Sequence, residues 1–219
     1  MPAQSASIIQ KAEDVRPALS LLGLSEEKVI QIAQAASYAR AEYLPGIDPV
    51  NAPGTKAYQA GIRQLRLSML PDGWKPGRFN NIEVIVNHEL GLMLGFQNVD
   101  RACEESDPSS ISDRGEGTRQ LVAKPYEAAL FNQAGLQNQK THKGAFPLVW
   151  FVCVAADQDK IQVEVSRPKP FEGTQFNGFF ERIFVADQTI EAPIAAPRLE
   201  PEEEDDHEIV ITKKQNDRS

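Results

Sequence analysis

The chain has 219 residues, of which 41% are hydrophobic and 25% charged, and a formal net charge of −8. That composition belongs to a folded globular chain and excludes collagen-like, disordered and disulfide-scaffold classes. An acidic balance also argues against a general nucleic-acid sponge, although one basic face is compatible with it.

No apolar run approaches the roughly 18 residues that a membrane-spanning helix needs. Residues 1–11 show no positive start followed by an apolar stretch, so no secretory leader is expected. Two cysteines, Cys103 and Cys153, build no disulfide framework, and the expected compartment is the cytoplasm.

In chain order, residues 5–22 have the composition of a short helix interrupted by Pro17. A better helix opens at Ser25, whose hydroxyl suits an N-cap, with Glu26 and Glu27 in the first turn and Val29, Ile32, Ala33, Ala36 and Tyr43 at helical spacing. Residues 45–54 hold three prolines and two glycines and read as a loop. A second helix is expected over about 56–70, with Tyr58, Ile62, Leu65 and Met69 on its apolar face.

The period then changes from 3.6 to 2. Ile82, Val84 and Val86, then Leu90, Leu92, Leu94 and Phe96, form the plainest hairpin, turning at 87–89. Residues 106–119 are polar and turn-rich, and Pro125 opens a short helix that Gly135 closes. Residues 146–154 are apolar on both faces and predict a central strand, whereas 161–166 alternate and predict a strand with one face in water. A further strand covers 182–185.

The expected fold is α+β: an antiparallel sheet of about five or six strands with helices packed mainly on one side. The expected organisation is one domain over 1–190 and an acidic low-complexity tail over 191–219, with an edge strand at 209–211. Residues 200–219 carry eight acids against three bases, so the body itself is only mildly acidic.

Catalytic sets fail on inventory. His88-Glu89 begins like a zinc-protease motif, but the second histidine is absent. Cys153 lies in an apolar strand, and a Cys103–His88 pair has no support from spacing. Asp157 and Glu164 resemble part of a magnesium nuclease set, with Ser166 where a lysine belongs. Arg114-Gly115-Glu116-Gly117-Thr118-Arg119 has the glycines and arginines of an anion cradle but no Walker lysine, and Glu116 opposes phosphate; a surface loop is the simpler reading. No cofactor and no metal site is expected.

Two surfaces remain. Five of the ten phenylalanines fall in residues 171–184. Phe171, Phe176, Phe179 and Phe180 with Arg182 are the candidate partner surface, packed core being the simpler reading of the rings. Lys56, Arg63 and Arg66 on one helix, followed by Trp74, Lys75 and Arg78, interleave positive charge with a ring as nucleic-acid binders do. The expected role is therefore non-catalytic: protein–protein interaction or assembly, with a homodimer or another protein partner and no membrane. A nucleic-acid-binding accessory protein, or an enzyme whose site spacing does not reveal, is the alternative.

Overall fold

The computed structural model describes residues 5–134, 146–157 and 159–189, the side chains of 127–134 excepted. The tail 191–219, its strand at 209–211 and the helix stop at Gly135 lie outside the described residues. The elements are β1 (Ser7–Ile9), α1 (Ala12–Leu21), α2 (Glu26–Ala41), α3 (Ala52–Met69), β2 (Lys75–Phe79), β3 (Ile82–Asn87), β4 (Leu92–Asn98), α4 (Glu116–Ala134), β5 (Leu148–Ala156), β6 (Lys160–Pro168) and β7 (Phe179–Thr189).

The protein is α+β, but its sheet is mixed and seven-stranded, in the order β1-β7-β6-β5-β4-β3-β2. That corrects the antiparallel sheet of five or six strands. Two antiparallel meanders, β2-β3-β4 and β5-β6-β7, are joined by the parallel pair β4–β5 across the α4 crossover, and β1 adds in parallel to β7. Hydrophobic period does not show either extra strand. β1 is three residues long, and β2 contains Pro76 and Gly77, which are tolerated there because β2 is an edge. Asn80 and Asn81, with φ of 45° and 67°, make the two-residue turn between β2 and β3.

Side-chain alternation divides the core into two. On one face Ile85, Leu94, Phe96, Trp150, Val152, Val154, Val163, Val165 and Ile183 meet Leu19 of α1, Ile32 and Ala36 of α2, and Ile62, Leu65 and Met69 of α3. On the other, Val84, Met93, Val149, Phe151 and Cys153 meet Leu121 and Val122 of α4, Val99 and Ala102, and Phe171. The helices therefore cover both faces, three on one and α4 on the other.

Ser25 Oγ accepts from Lys28 N, the cap that the spacing predicts. α3 starts at Ala52, inside the expected loop, with Pro53 in the first turn, where its missing N–H costs no helical bond. α4 starts at Glu116 and carries Pro125 within it; Pro17 likewise lies within α1. Burial of Val15 and Leu19, and of Leu121 and Val122, holds these helices across residues that propensity alone assigns to boundaries.

β6 departs most from its expected environment. Gln162, Glu164 and Ser166, which alternation assigns to water, are buried. The loop following β4 and the side chain of Arg182 bond Glu164, and Gln162 Nε2 donates to Asp187 of β7 at 3.1 Å. Arg182 donates from Nε to Glu164 Oε1 at 2.8 Å and from Nη2 to Oε2 at 2.7 Å. Ser166 Oγ donates to the same carboxylate at 2.6 Å and Cys103 N at 2.8 Å. Arg182 Nη1 reaches the carbonyls of Ser106 and Glu105 and the carboxylate of Asp107. Both charged side chains have no solvent exposure, so a complete hydrogen-bond set replaces water around them.

Candidate functional site

The expected partner surface is largely internal. Phe171 and Phe179 are buried, and Phe176 packs between Phe151, Phe171 and Phe179 with ring centroids 5.7, 5.1 and 5.5 Å away. Phe180 is half-buried, stacks on Tyr126 at 5.2 Å and lies under the Arg167 guanidinium. Arg182 belongs to the buried pair above, so it presents no charge to a partner. The glycines at 173 and 178, both with positive φ, fold this segment back on the sheet and so bring its rings together.

The basic stripe is also largely engaged within the chain. Lys56 pairs with Asp48 at 3.0 Å, and Glu83 receives Arg66 at 2.5 Å and Arg78 at 3.4 Å. Trp74 is buried in the main core. Arg63 and Lys75 are exposed on different elements, α3 and β2.

A cleft of about 660 Å³ opens instead at the C-terminal end of β4. One wall is the end of α2 and the start of α3, with Arg40, Asn51, Gly54, Thr55 and Tyr58. The other is the loop and first turn of α4, with Ile111, Ser112, Arg114 and Thr118; Phe96 and Phe151 lie beneath. Gly61 lets α3 settle on the sheet here, since a Cβ at that position would fall 2.4 Å from the Phe96 ring. Gly117 does the same for α4, where a Cβ would meet the Asn80 carbonyl at 2.7 Å.

The last two residues of β4 organise the cleft. Successive side chains of a strand point to opposite faces, so Asn98 serves the α2–α3 wall and Gln97 the α4 wall. Asn98 Nδ2 donates to Gly54 O at 3.0 Å, and Asn98 Oδ1 accepts from Arg40 Nη2 at 3.2 Å. Gln97 Nε2 donates to Asn98 O, and Gln97 Oε1 accepts from Arg114 Nη1 at 2.8 Å. Arg114 also donates from Nε and Nη2 to Ser112 O. One hydrogen-bonded chain thus runs from α3 through the strand end to the second arginine and holds both guanidinium groups in place.

Neither Arg40 nor Arg114 forms an ion pair among the described residues. Burial lowers the pKa of Arg40, and burial likewise outweighs nearby negative groups to lower that of Arg114. Burial also raises the Tyr58 phenol above its usual range. Among the described residues the cleft lining contains no Asp, Glu, His or Cys. The charged side chains of that lining are therefore basic. Among the described residues no group of three or more His, Cys, Asp or Glu side chains is placed to hold a metal ion, and no helix is long and apolar enough to cross a membrane.

The expected list of site residues omits Arg40, Gln97 and Asn98 altogether, and carries Arg114 and Thr118 only within the loop reading. The sequence signal for that pair was Arg114-Gly115-Glu116-Gly117-Thr118, which opens α4 after a connection over 99–115 rather than directly following a strand. Comparison with protein-family models, curated proteins and solved structures yields no match.

Proposed function

We propose that the chain is a binding protein whose cleft takes a small anionic ligand. The carrying observation is the pair of half-buried arginines, each oriented by an amide of β4 and neither in an ion pair among the described residues, Asp113 acting on Arg114 only from longer range. A desolvated cation without a counter-charge is unfavourable, and a ligand anion relieves that cost on arrival. The cleft has the size common to small-molecule sites, and apolar Val50, Pro53, Ile82 and Ile111 line it beside the polar groups. A lining without nucleophile–base pairs favours binding over catalysis.

Calorimetric titration at low salt with phosphate, sulfate and short dicarboxylates tests this. At least one anion should bind, and Arg40→Gln or Arg114→Gln should each weaken it about tenfold, the loss of one charge-assisted contact. Equal affinity in wild type and both variants, or no binding of any anion, would defeat it.

A second reading keeps the protein-partner role and moves its surface. Asp48 accepts from Leu44 N and from Lys56 Nζ, both at 3.0 Å, and so pins the loop before α3. That loop presents Ile47 at 80% and Val50 at 92% exposure. Rigid, wet apolar side chains favour self-association or another protein partner. Light scattering at micromolar concentration should show a dimer or larger species that Ile47→Ser with Val50→Ser dissociates; a monomer would oppose self-association.

A further inference from the structure

We infer that the ligand is a phosphate ester whose phosphoryl group sits at the N-terminus of α4, between Arg114 and Thr118; this rests on the anion-binding role proposed above. Two independent observations meet there.

The first is local chemistry at a long helix. α4 has 19 residues, and its first turn follows Arg114-Gly115. Thr118 N and Arg119 N both donate to Gly115 O. The N–H groups of Glu116 and Gly117 make no hydrogen bond to the described residues, and such groups at a helix start attract phosphate oxygens. Three of the five Arg114 N–H groups are used by Gln97 and Ser112, leaving one on each terminal nitrogen. Glu116, the residue that opposes phosphate in the sequence, is turned along the helix. Its carboxylate accepts from Arg119 and Gln120, and it does not line the cleft.

The second is a buried polar side chain without a protein partner. Thr118 is only 2% exposed and lines the cleft. Its hydroxyl makes no hydrogen bond to the described residues. A hydroxyl that lines the cleft with no protein partner is free to bond a ligand oxygen.

Topology agrees with both. α4 is the crossover between the parallel strands β4 and β5, so its start lies outside the carboxyl end of β4. A phosphoryl group offers several oxygens around one centre and can meet the backbone donors, the hydroxyl and the guanidinium together. A planar carboxylate offers two. Arg40, on the opposite wall, is left for a second polar or charged group of the ester.

The probes are inorganic phosphate and malonate, titrated calorimetrically into the full chain. Phosphate should bind. Thr118→Val should weaken phosphate about tenfold and leave malonate unchanged, with Thr118→Ser restoring phosphate affinity. Arg40→Gln should weaken malonate. Amide resonances of Glu116 and Gly117 in the unsubstituted protein should shift on phosphate addition, a readout that stands even if Thr118→Val does not fold. Malonate binding that depends on Arg40, with no phosphate binding, would overturn the phosphate seat and leave the anion-binding role intact. Phosphate binding without amide shifts at 116 and 117, or insensitive to Thr118→Val, would also overturn the seat. Failure of both probes to bind would overturn the phosphate seat, and failure of sulfate and every short dicarboxylate besides would remove the anion-binding role with it.

Discussion

Substitution of Glu164 by Gln is the sharpest perturbation of the fold. It keeps the shape of the side chain and removes the charge facing Arg182. Glu164 now accepts four hydrogen bonds, at 2.8, 2.7, 2.6 and 2.8 Å, and neither it nor Arg182 touches solvent. The guanidinium would remain buried, facing an amide whose NH2 group repels one of the two N–H groups that Arg182 now donates to Glu164. Burial by itself lowers the pKa of Arg182, and the bonds and charge of Glu164 more than offset this, so the net shift is upward. Removing one member of such a pair costs about 3–5 kcal/mol. For a chain of this size each kcal/mol moves Tm by about 2–4 °C, so a fall of roughly 6–20 °C is expected. The assay is thermal unfolding followed by circular dichroism or calorimetry, beside the double variant Glu164→Leu with Arg182→Met. The double variant removes both buried charges and should recover part of the loss, although Cys103 N and the carbonyls of Glu105 and Ser106 lose their partners. A Tm change under about 2 °C for Glu164→Gln would show that water reaches the pair and that the buried network does not hold the loop after β4.

Three further outcomes are expected. Gly61→Ala places a methyl 2.4 Å from the Phe96 ring and should lower the urea midpoint by the equivalent of about 1–3 kcal/mol, with the m-value unchanged; no loss would mean that α3 does not rest on β4 as described. Burial, then Glu164, pushes the Cys103 thiol from 9.0 up to about 12, so it should alkylate with iodoacetamide far more slowly at pH 8 than in the denatured chain. Because the folded pKa is the higher one, the associated stability is present below pH 9 and declines as pH rises from 9 toward 12; reaction as fast as in urea would contradict this. Arg63→Glu with Arg66→Glu breaks the Arg66–Glu83 pair and should cost no more than about 1 kcal/mol while leaving DNA and RNA binding unchanged; salt-steep binding that the double variant abolishes would instead establish the nucleic-acid role.

What the sequence determined by itself was local. The capped start of α2 at Ser25, the apolar face of α3, the β3–β4 hairpin and the apolar central strand β5 were legible, because each depends on neighbours a few residues away. Tertiary structure decided everything that depends on which distant segments meet. β1 and β2 are strands because an edge of the sheet accepts three residues, or a proline, that no periodic pattern announces. The polar face of β6 has the alternation of a wet strand, yet it is buried, with Arg182 and Cys103 N bonding Glu164, since a satisfied ion pair meets the same needs as water. The phenylalanines of 171–184 read either as core or as a patch, because composition counts rings without their partners; the turn glycines send most of them to Phe151 and the core. The candidate cleft was the least legible feature. Its arginines are 74 positions apart, and they share a site only because adjacent side chains of β4, Gln97 and Asn98, point to opposite faces and each orients one of them.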